Sequence, residues 1–113
     1  MSEEDHLVET VTDENYEEFI ADHDHVVLDL WATWCGPCVY MDPILEELSK
    51  QFKDSVKFGK IDVEHNKEAC SAFDIQCIPS LVFFENGEMK EKVVGKMEED
   101  EFREKMKEIF DLN

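Results

Sequence analysis

The run Val26-Val27-Leu28-Asp29-Leu30-Trp31-Ala32-Thr33-Trp34-Cys35-Gly36-Pro37-Cys38 decides the fold. Its first part, Val26 to Trp31, is apolar and long enough for a buried strand. Beyond it, from Val39 to Phe52, the residues Met41, Ile44, Leu45, Leu48 and Phe52 recur at helical spacing. Two cysteines with two residues between them, where a strand turns into a helix, are placed for reversible disulfide chemistry. Cys35 falls at the expected helix N-terminus, where unpaired backbone N–H groups and the helix dipole favour thiolate over thiol. Cys38, one turn further in, is within reach of a mixed disulfide formed at Cys35.

Outward from this stretch the chain alternates strands and helices. On the N-terminal side, Leu7 to Val11 reads as a short edge strand. Thr12 or Asp13 is placed to cap a helix carrying the stripe Tyr16, Phe19, Ile20. Asp22-His23-Asp24-His25 breaks that pattern; consecutive loop residues do not converge on one point, so no metal site is expected there. His6 and His65 are isolated and expected to be solvated. On the C-terminal side, the helix contains Asp42-Pro43, and a proline there is expected to kink it. Val56 to Val63 reads as a second interior strand, Asn66 to Phe73 as a short helix, and Ser80 to Phe84 as a third interior strand. Asn86-Gly87 marks a tight hairpin to a strand over Met89 to Val94. Glu98 to Leu112 is a final helix with Phe102, Met106, Ile109 and Phe110 inward and four carboxylates in its first turn. The order β-α-β-α-β-α-β-β-α predicts an α/β fold, a mixed sheet covered by helices on both faces.

Composition sets the outer limits. With 113 residues, three prolines and four glycines, one compact domain over 1–113 is expected. Hydrophobic residues at 42% suffice for a core without structural disulfides. No apolar run approaches the roughly 20 residues of a membrane helix. The acidic, polar start Met1-Ser2-Glu3-Glu4-Asp5 is unlike a signal peptide, and Asp111-Leu112-Asn113 is no retention signal. The expected location is cytoplasmic, where four cysteines do not make a disulfide framework. The net charge is −18, and residues 1–49 carry fourteen carboxylates but no Lys or Arg. Such a surface excludes nucleic acid and anionic membranes as natural partners. It serves solubility, or it selects basic partners or suits a saline cell; composition does not choose between these.

Trp34-Cys35-Gly36-Pro37-Cys38 is the active-site motif of the thioredoxin family, and the chain resembles that family over nearly its whole length. The resemblance also rests on Asp29 in the preceding strand, Ile78-Pro79-Ser80, Asn86-Gly87, and Gly95 before the last helix. It implies the thioredoxin fold, a central mixed five-stranded sheet flanked by four helices. A bare pair of cysteines at this spacing also suits zinc. Such a site needs a partner pair, and Cys70 and Cys77, with six residues between them, have the wrong spacing.

By the resemblance, Cys35 is the nucleophile and Cys38 resolves the mixed disulfide. Asp29 lies amid apolar residues, where burial raises a carboxyl's pKa and suits it to accept a proton near neutrality. The family assigns the matching aspartate to deprotonating the resolving cysteine. Pro79 resembles the family's cis-proline, and Trp34, Gly36, Pro37, Ile78, Pro79 and Gly95 are the expected substrate-contacting residues. Cys77 stands beside that surface, with a regulatory role or an intermolecular disulfide as its expected use. Cys70 reads as a small core residue. Where many thioredoxins carry a basic residue directly after the motif, this chain has Val39-Tyr40, which removes positive charge that would stabilise the Cys35 thiolate.

The function implied is a general protein-disulfide reductant, an electron carrier acting by dithiol–disulfide exchange and re-reduced by a flavoprotein thioredoxin reductase. No cofactor or metal is expected beyond the Cys35–Cys38 disulfide. The expected partners are protein disulfides and the reductase, and the expected state is a monomer that Cys77 can link into a dimer. The alternative is a non-catalytic binding or docking subunit that uses its acidic surface. Glutaredoxin-like use of glutathione lacks its motif here.

Overall fold

The computed structural model describes residues 7–112, so His6 lies outside the described residues. The elements are β1 (Val8–Thr10), α1 (Tyr16–Ala21), β2 (His25–Trp31), α2 (Gly36–Gln51), β3 (Lys57–Asp62), α3 (Lys67–Ala72), β4 (Ser80–Glu85), β5 (Glu88–Val94) and α4 (Glu99–Phe110). The five strands form one sheet in the order β1-β3-β2-β4-β5. β3 pairs in parallel with β1 and β2, while β2–β4 and β4–β5 are antiparallel. This is the mixed five-stranded, four-helix architecture that the sequence predicts.

β2 is central because both of its faces are apolar. Val26, Leu28 and Leu30 pack with Phe19 and Ile20 of α1 and with Ala69 and Phe73 around α3. On the other face Val27 joins Met41, Leu45 and Leu48 of α2 and Phe102, Met106 and Phe110 of α4. A strand covered on both sides loses the polar alternation of a half-exposed one. Each such large side chain, fully buried, contributes about 1.5–3 kcal/mol of transfer free energy. Asp29 shares the second face with Val27, by strand alternation, and is fully buried there.

Local chemistry fixes the connections. Asn86 (φ 51°) and Gly87 (φ 87°) both occupy the left-handed region between paired Glu85 and Glu88. This is the two-residue turn whose twist matches antiparallel strands. α2 runs unbroken from Gly36 to Gln51, through Pro43. α1 departs from the cap expected of Thr12 or Asp13: its N-cap is Asn15, with no side-chain cap bond. Asp13 instead caps α3, accepting from the N–H of Ala69 (2.9 Å) and of Glu68 (3.3 Å). Its own N–H donates to the buried Asn66 side chain at 2.9 Å. A carboxylate there meets the unsatisfied donors of a helix start that folding brings to it.

Candidate active site

The motif closes the gap between the C-terminal end of β2 and α2. Cys35 is the N-cap of α2, in extended conformation (φ −95°, ψ 107°), and its Sγ accepts from the N–H of Cys38 at 3.2 Å. Pro37 lies in the first turn, where a missing N–H costs no helical bond. Cys35 and Cys38 are joined in a disulfide. Neither cysteine stands exposed in this oxidised form. Cys35 is 6% exposed and Cys38 2%, because the bridged pair packs with Ala32 and against Trp31, Val63 and Ile78.

A second loop meets the disulfide from across the site. The Ile78–Pro79 peptide bond is cis. Ile78 packs on the cysteine cluster, and the Pro79 carbonyl accepts from the N–H of Gly95 at 2.8 Å. That bond ties the loop after β5 to the loop before β4. The fold thus brings Cys35, Cys38, Ile78, Pro79 and Gly95 together. Trp34 (67% exposed), Gly36 and Pro37 form the exposed lip of the motif. Exposed Cys77 precedes Ile78, and its carbonyl accepts from the Ser80 hydroxyl at 2.6 Å. Cys70 is half-buried on α3, with its thiol 4.0 Å from the Val63 carbonyl. Burial and the nearby carboxylates Asp13 and Asp62 push that thiol's pKa up.

Asp29 lies fully buried on β2, two residues before Trp31, and among the described residues neither of its carboxyl oxygens has a hydrogen-bond partner. Burial pushes its pKa up to about 7; Lys60 pulls it down and Asp42 pushes it further up. A carboxyl so placed exchanges its proton near neutral pH.

Two side chains around Asp29 carry no role in the sequence reading. Lys60 is the β3 register partner of Asp29, and its ammonium donates to Asp42 on α2 at 2.7 Å. The same ammonium stands 4.8 Å from the centre of the Trp31 ring. Alternation from Phe58 and the four-residue step from Cys38 to Asp42 were the available signals. Around the position after the motif, the Tyr40 hydroxyl donates to Glu98 at 2.6 Å. Lys96 stands 4.1 Å over the Tyr40 ring and 3.2 Å from Glu98. A cation absent after the motif in sequence thus returns from the β5–α4 connection, already neutralised by a carboxylate. The hydrogen bonds from Tyr40 and Lys96 hold the Glu98 carboxyl below its ordinary range.

Among the described residues no group of three or more His, Cys, Asp or Glu side chains is arranged to hold a metal ion. The two histidines of the Asp22–His25 loop diverge. His23 packs against the Phe19 ring, while His25 stacks on Phe110 and contacts Glu85 at 3.2 Å. No helix among the described residues is long and apolar enough to cross a membrane.

A family model described as thioredoxin matches residues 7–108. The chain belongs to the thioredoxin family. It is 38% identical to the thioredoxin of Rickettsia prowazekii over 90 residues, 79% of this chain and 86% of the relative. It is 42% identical to that of Staphylococcus haemolyticus over 85 residues, covering 75% and 81%. The solved structure of a mutant thioredoxin from Halobacterium salinarum NRC-1 matches with TM-score 0.84 at 33% identity, over 92% of this chain and 91% of that one. With the family's cysteine pair in place, the chain is a thiol–disulfide oxidoreductase whose dithiol–disulfide exchange runs through Cys35 and Cys38. Proteins of this family act on protein disulfides.

Proposed function

We propose that this chain is a general protein-disulfide reductant, working as one thioredoxin domain and re-reduced by a thioredoxin reductase. The observation that carries the reading is Cys35 at the N-cap of α2, its sulfur accepting from the Cys38 N–H, with a buried carboxyl of pKa about 7 on the strand before it. That N–H and the helix dipole stabilise negative charge on the Cys35 sulfur, which makes it the nucleophile.

In the reduced protein the Cys35 thiolate attacks one sulfur of a substrate disulfide. A Cys35–substrate bond forms, and the other substrate sulfur leaves as a thiolate. Asp29, through water, takes the proton of Cys38, and the Cys38 thiolate attacks the Cys35 sulfur. The Cys35–Cys38 disulfide closes, two electrons have passed to the substrate, and its second thiolate is released. Ile78, beside the cis-proline, offers backbone to an extended substrate segment as a sheet edge would, flanked by Trp34, Gly36, Pro37, Pro79 and Gly95. The cytoplasm, a monomeric state with Cys77 as a linkable thiol, and the disulfide as sole working group complete the reading.

Two serine variants and a potential test it. Cys38→Ser accumulates a mixed disulfide with an oxidised protein substrate, and Cys35→Ser forms none. The Cys35–Cys38 couple equilibrates near the roughly −270 mV of a disulfide reductant. A value near roughly −120 mV, that of a strong oxidant, overturns the reading.

A further inference from the structure

The buried Asp29 has a cation across the sheet and does not bind it. Asp29 and Lys60 are register partners on β2 and β3, and alternation puts both on the face covered by α2. The Lys60 ammonium nevertheless turns away, to Asp42 Oδ1 at 2.7 Å, and rests beside the Trp31 ring. Asp42 is half-buried at the edge of a cleft of about 380 Å³ that Lys60 also lines, together with Val8, Leu45, Ser49 and Lys50. Asp29 is left with two partnerless oxygens among the described residues.

The geometry points to Asp42 as a positioning residue that holds the Lys60 ammonium at the cleft edge and so keeps it from pairing with Asp29. The inference rests on the reading of Asp29 as proton acceptor and names what sets the pH at which it works. The groups packed around Asp29 are few. β3 contributes Lys60, and Asp62 beyond it is tied to His65 at 3.0 Å. β4 places Leu81 opposite Asp29, and α2 contributes Asp42, with Glu46 and Lys50 further along the cleft. Lys60 favours the ionised carboxyl and Asp42 opposes it. With Asp42 neutralised, only the Trp31 ring stands against the ammonium turning inward to the charge that lacks a partner. A cation gained at such range lowers a carboxyl's midpoint by about 1–3 pH units.

Carboxyl carbon-13 NMR on the oxidised protein, where neither active-site cysteine titrates, reads the Asp29 midpoint directly. The series is the unsubstituted chain, Asp42→Asn, Asp42→Glu, Lys60→Met and the Asp42→Asn/Lys60→Met pair. Asp42→Asn is expected to lower the midpoint by about one pH unit. In the Lys60→Met background the same change lowers it by less than half as much, and Asp42→Glu follows the unsubstituted curve. An unchanged midpoint in Asp42→Asn overturns the proposal, as do equal falls with and without Lys60, which reduce Asp42 to a repelling charge. A Glu variant that behaves like the Asn variant also overturns it. Separately, exchange rates indifferent to Asp29→Asn remove Asp29 from the chemistry, a failure that the NMR midpoints neither cause nor conceal.

Discussion

Asp29 and Lys60 stand opposite one another on adjacent parallel strands, and the ammonium of one donates not to the other but to Asp42, 2.7 Å away. A carboxyl at zero exposure thereby keeps neither a hydrogen bond among the described residues nor a dedicated counter-ion. Leaving such a group ionised in the interior is costly, so the protein holds it protonated at pH values where a surface aspartate is charged.

That cost has a pH signature. The folded-state pKa is about 7 against an ordinary 3.8, so the folded chain binds the proton more tightly than the unfolded one. Below about pH 4 both states are protonated and the group is neutral to stability. Between about pH 4 and 7 stability falls as pH rises, and above that the cost is constant. Asp29→Asn should match the unsubstituted protein in urea unfolding at pH 4 and exceed it at pH 8 by up to about 4 kcal/mol. Equal stabilities at pH 8 would show that Asp29 ionises without penalty.

Asp13 links the start of α1 to the start of α3 through the Ala69 and Glu68 N–H groups. Asp13→Ala should cost about 1 kcal/mol, the usual worth of a helix cap, with Asp13→Asn milder. Hydrogen exchange locates the loss: the Ala69 amide should exchange faster while the β2 amides keep their order relative to one another.

Gly59 is buried in β3 where α1 crosses the sheet. A Cβ added there would stand 2.7 Å from Val11 Cγ2 and 3.0 Å from both Leu28 Cδ2 and Phe19 Cζ. Gly59→Ala should therefore destabilise by about 1–3 kcal/mol through overpacking, read as a lower denaturant midpoint. Because the crowding lies on the face away from α2, the exchange rate of the folded variant should stay unchanged.

The two remaining thiols differ in access. Cys77 is exposed, whereas Cys70 is half-buried with its pKa pushed up by burial and two carboxylates. A thiol-reactive maleimide added to the oxidised protein near neutral pH should label Cys77 first, because the thiolate is the reacting species. Mass spectrometry of a partly labelled sample checks it, and first labelling at Cys70 contradicts this account.

The order of elements was written in the sequence because it depends on near neighbours. An apolar run long enough for β2, helical spacing in Met41, Leu45 and Leu48, and the Asn86-Gly87 turn each act over a few residues. The motif was legible for the same reason: Cys35 becomes a helix cap through Gly36 and Pro37 beside it. The burial of Asp29 followed from its apolar neighbours. Tertiary structure alone decided the long-range partners of Asp13, Lys96 and Lys60. Asp13 caps a helix more than fifty residues away, Lys96 comes back to lie over Tyr40, and Lys60 leaves Asp29 for Asp42. A short-range pattern fixes where a side chain points along its own element. The choice among acceptors is made by distances of a few ångströms between elements, which exist only once the sheet and its helices have packed.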